Sequence, residues 1–187
     1  MRVLITGVTG FIGSKLAETL ANNNHEVWGL SRDPNTAKQR VPQLTEAFPW
    51  NPVAESPPIA AFNNVNAVIH LAGEAVSGRW TKNKKQRIED SRVIGTRNLV
   101  KALEQTGGPT VLVSSSAIGY YGDQGDSELA EDHPSGRDFL ADISSAWETE
   151  ANNATTHGIR VVVIRTGIVL AHGGGALASM LLPFKMG

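Results

Sequence analysis

Glycines at positions 7, 10 and 13 divide the opening stretch MRVLITGVTGFIG into G-x-x-G-x-x-G, a spacing suited to holding two linked phosphates. Lacking a Cβ, they let an anion approach the backbone, and the first turn of a following helix offers free N–H groups at the positive end of its dipole. The ligand implied is a dinucleotide. A second group follows at Ser31 and Arg32. Where a fold of this kind binds NAD, an acidic residue usually meets the adenosine ribose hydroxyls, whereas an arginine fork suits a ribose 2′-phosphate. Serine also removes the carboxylate that would repel that phosphate. The pair favours NADP, with NAD as the alternative, and only the neighbouring Asp33 argues the other way.

Further along, Ala72 and Gly73 close the apolar run AVIHL, and their small size would let a cofactor pass close to the backbone. His70 lies inside that run and is expected to be packed rather than catalytic. Lys82, Lys84, Lys85 and Arg87 form a basic group, expected to be a solvated face, with an anionic substrate as the alternative. Cysteine is absent, which removes disulfides and thiol nucleophiles. Histidine and acidic residues nowhere have metal-ligand spacing, so no metal is expected.

The elements that must position these groups alternate in type. Arg2 to Thr6 reads as a strand buried on both faces, a short branched apolar run stopped by glycine. Behind the glycines, Phe11, Ile12, Leu16 and Leu20 recur at helical steps beside Ala17 and Ala21. Asn22 to His25 is a polar turn and Glu26 to Leu30 a second strand. Prolines at 34, 42, 49, 52, 57 and 58 forbid a long helix next. They leave a short helix around Thr36 to Ala47, an edge strand near Phe48 to Asn51 with Trp50 covering the sheet edge, and a brief helix over Ile59 to Asn64. Ala67 to Leu71 is a strand. Thr81 to Thr106 is the longest helix, with Ile88, Gly95, Leu99 and Leu103 on one face and Gly107-Gly108-Pro109 as its stop. Thr110 to Val113 is a strand running into Ser114, Ser115 and Ser116. A helix over Phe139 to Ala154 precedes the strand Ile159 to Ile164, which Arg165, Thr166 and Gly167 close. Gly173 to Gly175 lead into a last apolar segment. Such alternation predicts an α/β fold, a doubly wound parallel sheet of the Rossmann kind.

The 187 residues suffice for one well-buried domain and not for two of ordinary size. A net charge of -1 gives no bulk electrostatic attraction for nucleic acid or an anionic membrane, so a small-molecule substrate is the expected partner. With no charged-then-apolar leader and no apolar run near the roughly 18 residues of a membrane span, a cytoplasmic protein is expected. The chain ends at Gly187 directly after LLPFKM, with no capping element, and is expected to be part of a longer one.

With the glycine turn, HLAG at 70–73, SRVIGTRNLV at 91–100, VSSSAIGYYGD at 113–123 and RTGIVLAHGGGALASMLLPF at 165–184, the whole chain resembles the extended and atypical short-chain dehydrogenase/reductase superfamily. Within it, the chain is most similar to the NAD-dependent epimerase/dehydratase or nucleoside-diphosphate-sugar epimerase subgroup. The resemblance implies a single NAD(P)-binding domain over residues 1–187, lacking the last strand and a small C-terminal substrate subdomain. It puts Gly7, Thr9, Gly10, Phe11, Ile12 and Gly13 around the pyrophosphate and Ser31 and Arg32 at the adenosine ribose. Leu71, Ala72 and Gly73 would line the path to the nicotinamide, with Ser114 and Arg165 as further cofactor contacts. Ser116, and after it Ser115, matches the catalytic serine. Two-helix interfaces in the superfamily imply a homodimer.

One part fails to match. Superfamily chemistry uses a tyrosine as proton donor or acceptor and a lysine four residues later on the same helical face. The chain has two tyrosines, Tyr120 and Tyr121, followed at that spacing by Gln124 and Gly125. Aligning the later helix on Glu148 puts Leu140 in the tyrosine's place and Ser144 in the lysine's. Two readings follow. Either Tyr120 or Tyr121 supplies the proton while Ser116 orients the substrate oxygen, or the domain binds the dinucleotide without conventional turnover. Glu131 and Asp132, ahead of Pro134, are read as loop polarity with a base as the alternative.

Overall fold

The run RVLIT forms β1 (Arg2–Thr6) at the centre of a six-stranded parallel sheet, its apolar side chains covered on both faces. The other strands are β2 (Glu26–Ser31), β3 (Glu46–Pro49), β4 (Ala67–His70), β5 (Val111–Ala117) and β6 (Arg160–Thr166). Their order is β3-β2-β1-β4-β5-β6, so the direction of winding reverses between β1 and β4, where Thr6 pairs with His70. A crevice opens at such a reversal, beyond the strands' carboxyl ends. The computed structural model describes residues 1–171 and 174–186.

On one face, α1 (Phe11–Asn22) and α2 (Pro34–Arg40) cover Val3, Ile5, Val8 and Val27, with Ala17, Ala37 and Val41 in the same cluster. On the other, α3 (Lys82–Gln105) lays Leu99 and Leu103 against Leu4, Val68 and Leu112, while α4 (Phe139–Asn152) packs on α3 and β5. Three helix starts are capped by their own side chains. Asp33 accepts from the Thr36 amide, Thr81 from Lys84, and Asp138 from Leu140 and Ala141. The start of α1, behind Gly10, has no side-chain cap.

Several boundaries differ from expectation for local reasons. With Asp33 as cap and Pro34 opening the first turn, α2 starts early and stops at Arg40, and β3 begins at Glu46 rather than Phe48. Trp50 does not cover the sheet edge. It is 2% exposed in the α3-side core, its Nε1 donating to the Glu55 carbonyl at 2.9 Å. The helix expected to reach Ala154 ends at Asn152 and continues as a 3-10 turn over Asn153–His157. Of the last segment, Gly173 and Gly187 lie outside the described residues; β7 (Leu170–Ala171) precedes α5 (Gly175–Lys185). Among the described residues no helix is long and apolar enough to cross a membrane.

Candidate cofactor cleft and active site

A cleft of about 510 Å³ lies at the switch point. Gly7, Thr9 and Gly10 form one wall, Leu71, Ala72 and Gly73 another, and Ser31 and Arg32 close one end. Gly7 has φ +68, and a Cβ there would meet the backbone of Leu71 and Ala72 at 2.9 Å. A Cβ on Gly13 would strike the Gly7 carbonyl and stand 2.9 Å from Val8 Cα, so any larger residue would push the loop off the helix. With no side-chain cap on α1, the first-turn amides behind Gly10 remain available to an anion. The cradle therefore fits a pyrophosphate. Phe11 and Ile12 stand outside this cleft and line an adjoining groove with Lys15, Leu16 and Val169.

The Leu71–Gly73 wall is pinned from below. Thr6 Oγ1 accepts from the amides of Leu71 at 3.2 Å and Ala72 at 3.1 Å, so its own proton points to His70 Nδ1, 2.7 Å away. That makes Nδ1 the acceptor and Nε2 the donor, to Thr96 Oγ1 at 2.9 Å on α3. His70 is fully buried, and burial first, then the nearby Arg92 charge, push its pKa down to about 4. The expected packed histidine is a neutral strut beneath the cleft.

At the β2 end, Asp33 does not stand as a free carboxylate. Its oxygens accept from the Thr36 amide at 3.0 Å and the Thr36 hydroxyl at 2.6 Å, bonds that hold its pKa below the usual range. Arg40, at the end of α2, lines the same cleft as Arg32 and was missed in the sequence. Its only signal was the seven-residue α2, which brings it back over the β2 carboxyl end. Neither arginine has an ion-pair partner among the described residues.

A second cluster sits where β5 and β6 meet α4. Arg165 grips Glu148 in a fork, Nε to Oε1 and Nη2 to Oε2, both at 2.9 Å. Ser116 donates to Glu148 Oε1 at 2.5 Å, and Arg165 Nη1 donates to Tyr121 Oη at 2.9 Å and to the Glu131 carbonyl at 2.7 Å. The Tyr120 ring lies 3.5 Å from Arg165 Cζ. The Glu148 hydrogen bond leads the causes that raise the Arg165 pKa above its ordinary value. Thus Ser116, Tyr120, Tyr121 and Arg165 come together around an acid that sequence reasoning used only as an alignment mark. Glu148 was detectable as the single acid in the buried stripe Ala141, Ser144, Glu148, Ala151 of α4.

This arrangement divides the hydrogen-bond roles. Ser116, its proton on Glu148, keeps lone pairs with which to accept, while Tyr121, accepting from Arg165, keeps its own proton to donate. Ser114 and Ser116 are buried on one face of β5, and Ser115, alternating with them, faces the other way. Arg165 does not line the cofactor cleft, and Ser114 is buried with its hydroxyl donating to the Ser115 carbonyl at 3.3 Å. Glu131 contributes its backbone rather than its carboxylate. The basic group opening α3 is partly paired, Lys84 to Glu74 at 2.7 Å and Arg87 to Glu74 at 3.6 Å. Among the described residues no group of three or more histidine or acidic side chains could hold a metal ion.

Comparison with known proteins agrees with this geometry. The profile of the "NAD dependent epimerase/dehydratase family" matches residues 3–183. "Epimerase family protein SDR39U1 homolog, chloroplastic" of Arabidopsis thaliana is 38% identical over 193 residues, covering 100% of this chain and 54% of the plant protein. The crystal structure of human epimerase family protein SDR39U1 (isoform 2) with NADPH superposes with TM-score 0.82 at 33% identity, over 100% of this chain and 60% of that one. A nucleoside-diphosphate sugar epimerase from Corynebacterium glutamicum gives TM-score 0.82 at 33% identity, over 100% of this chain and 38% of its own. The chain thus spans between about two fifths and three fifths of the length of these relatives.

Proposed function

Because the chain belongs to the NAD dependent epimerase/dehydratase family, we propose that residues 1–187 form the cofactor domain of a longer, NADP-preferring epimerase or reductase. Its substrate is a sugar nucleotide or another small carbonyl or hydroxyl compound, covered by the part of the protein beyond this domain. A bound nicotinamide dinucleotide supplies hydride transfer at a carbon bearing that oxygen. The chain's residues do the rest. The glycine turn and the α1 amides hold the pyrophosphate, Arg32 and Arg40 receive the 2′-phosphate, and the Thr6–His70–Thr96 strut keeps the opposite wall in place. Ser116 orients the substrate oxygen, and Tyr121, steadied by Arg165, moves the proton.

One observation carries the cofactor choice: two arginines, without an ion-pair partner among the described residues, share the β2 end of the cleft with an aspartate already spent on capping α2. The NADPH-bound human relative supports the same choice. Titration of the full-length protein, followed through its four tryptophans, is expected to give NADPH affinity at least about tenfold above NADH. The double variant Arg32→Ala, Arg40→Ala is expected to bring the two to parity. Tighter NADH binding by the wild type would overturn the assignment.

A second reading, a dinucleotide-binding protein without turnover, is favoured by one specific feature: α4 carries Leu140 and Ser144 where a tyrosine and a lysine would be needed. A screen of sugar nucleotides separates the two. Turnover lost in Ser116→Ala and Tyr121→Phe supports the enzyme; tight NADPH binding with no turnover on any of them supports the sensor.

A further inference from the structure

Arg92 stands apart from the other cations of the chain. It leaves the middle of α3 half-buried and, among the described residues, without a carboxylate in ion-pairing reach. Burial lowers its pKa, against an opposing pull from Glu74. Its Nη1 donates to the carbonyls of Glu74 at 3.0 Å and Ile88 at 3.1 Å, which occupies one nitrogen of the fork. Nε and Nη2 have no protein partner among the described residues. A cation held this far from bulk water without a carboxylate leaves two of its three nitrogens open to a ligand.

Its position says what that is. The guanidinium lies against the open face of Gly73, where a Cβ would meet Cζ and Nη2 at 3.4 Å, and Gly73 lines the cofactor cleft. From the other side it stacks 5.0 Å from the ring centre of Trp147, three residues after Ser144 on α4. The Trp147 Nε1 is itself buried with no acceptor. Arg92 Nε and Nη2 therefore have no protein acceptor among the described residues, and the Trp147 indole beside the guanidinium lies one turn from the residue that replaces the expected lysine. Such a surplus matches a ligand rich in oxygen lone pairs.

We propose that Arg92, reaching across from α3, supplies the cation that Ser144 leaves missing on α4, and that its free N–H edge binds the hydroxyls of the dinucleotide's ribose on the nicotinamide side. This rests on the dinucleotide reading above and adds to it a residue for the far end of the cofactor. Arg92 is then a cofactor-binding residue delivered by a different helix, its guanidinium within van der Waals reach of the Gly73 face of the cleft.

The test uses three probes on full-length protein: NADPH, 2′-phospho-ADP-ribose, which keeps the distal ribose, and 2′,5′-ADP, which lacks it. Arg92→Met, which keeps the packing on Trp147, is expected to weaken the first two by about tenfold in calorimetry while 2′,5′-ADP stays within about twofold, and Arg92→Lys is expected to recover part of the loss. Equal affinity of Arg92→Met and wild type for 2′-phospho-ADP-ribose overturns the assignment, as does a change confined to substrate KM. A matching loss for 2′,5′-ADP would mean that Arg92 only supports the fold, and overturns it too. If the wild type bound none of the three, the dinucleotide reading itself would fall, and this assignment with it.

Discussion

The two ends of the site are built from different materials. The glycine turn between β1 and α1 is nearly all backbone: amides at an uncapped helix start and hydrogen atoms where side chains would collide. The cluster at β5, β6 and α4 is nearly all side chain, with Ser116, Tyr121, Glu148 and Arg165 drawn from residues up to 49 positions apart and tied by direct hydrogen bonds. The first resists substitution because there is no room, the second because each group is the partner of another. Steric necessity leaves its mark in a short stretch of chain. Mutual satisfaction of buried polar groups leaves almost none.

The contrast can be broken in several ways. The largest effect is expected from Glu148→Ala, which leaves the half-enclosed Arg165 guanidinium without its fork and Ser116 without its acceptor. Breaking such a pair costs about 3–4 kcal/mol, read as a lower urea midpoint at unchanged slope. A loss below about 1 kcal/mol would mean that the cluster is solvated and interchangeable rather than interlocked.

Next comes the strut beneath the cofactor cleft. The unfolded chain protonates a histidine near pH 6.5, whereas native His70 stays neutral until about pH 4. The stability His70 contributes is therefore complete above pH 6.5 and is lost as pH falls through that window, by at most about 1.4 kcal/mol per pH unit and about 3 kcal/mol in all. Denaturation measured between pH 7 and 5 is expected to show this slope in the wild type and a flatter profile in His70→Asn. Identical profiles would remove His70 as the buried neutral member of the network.

At the backbone end, Gly13→Ala is expected to lower dinucleotide affinity about 100-fold, equivalent to about 2.7 kcal/mol, because the new methyl group forces the loop away from α1. Affinity within threefold of wild type would show that the turn yields, and that the rigidity assigned to it is wrong. The smallest effect sharpens the comparison on one strand. Ser115→Ala, on the opposite face of β5 from Glu148, is expected to leave turnover within about twofold, while Ser116→Ala lowers it by about 100-fold. Equal losses would end the distinction between the two faces.

Much of the fold could be read directly from local pattern. β1, α1, β2, β4 and α3 follow from runs of branched residues, helical spacing and glycine stops, and their observed limits differ from expectation by a residue or so. The proline-rich stretch from 34 to 58 was harder, because Asp33 and Pro34 set the start of α2 through capping while the fate of Trp50 depended on what packed above it.

In the site, Gly7, Thr9, Gly10, Ser31, Arg32, Leu71, Ala72 and Gly73 were named from the sequence and line one cleft, since a turn and two strand ends bring near neighbours in sequence into one crevice. Arg40, Glu148 and Arg92 were not named for a role. Each is an ordinary charged residue on a helix, and nothing in its neighbours says what it will meet. By itself the sequence determined a wound sheet with a side-chain-free glycine turn between its first strand and first helix, because sterics and periodicity act over a few residues. Only the tertiary structure decided which carboxylate is spent on a cap, which serine faces α4 and which cation lies against Gly73 with no carboxylate partner among the described residues, because those outcomes depend on distances between residues that the chain order keeps far apart.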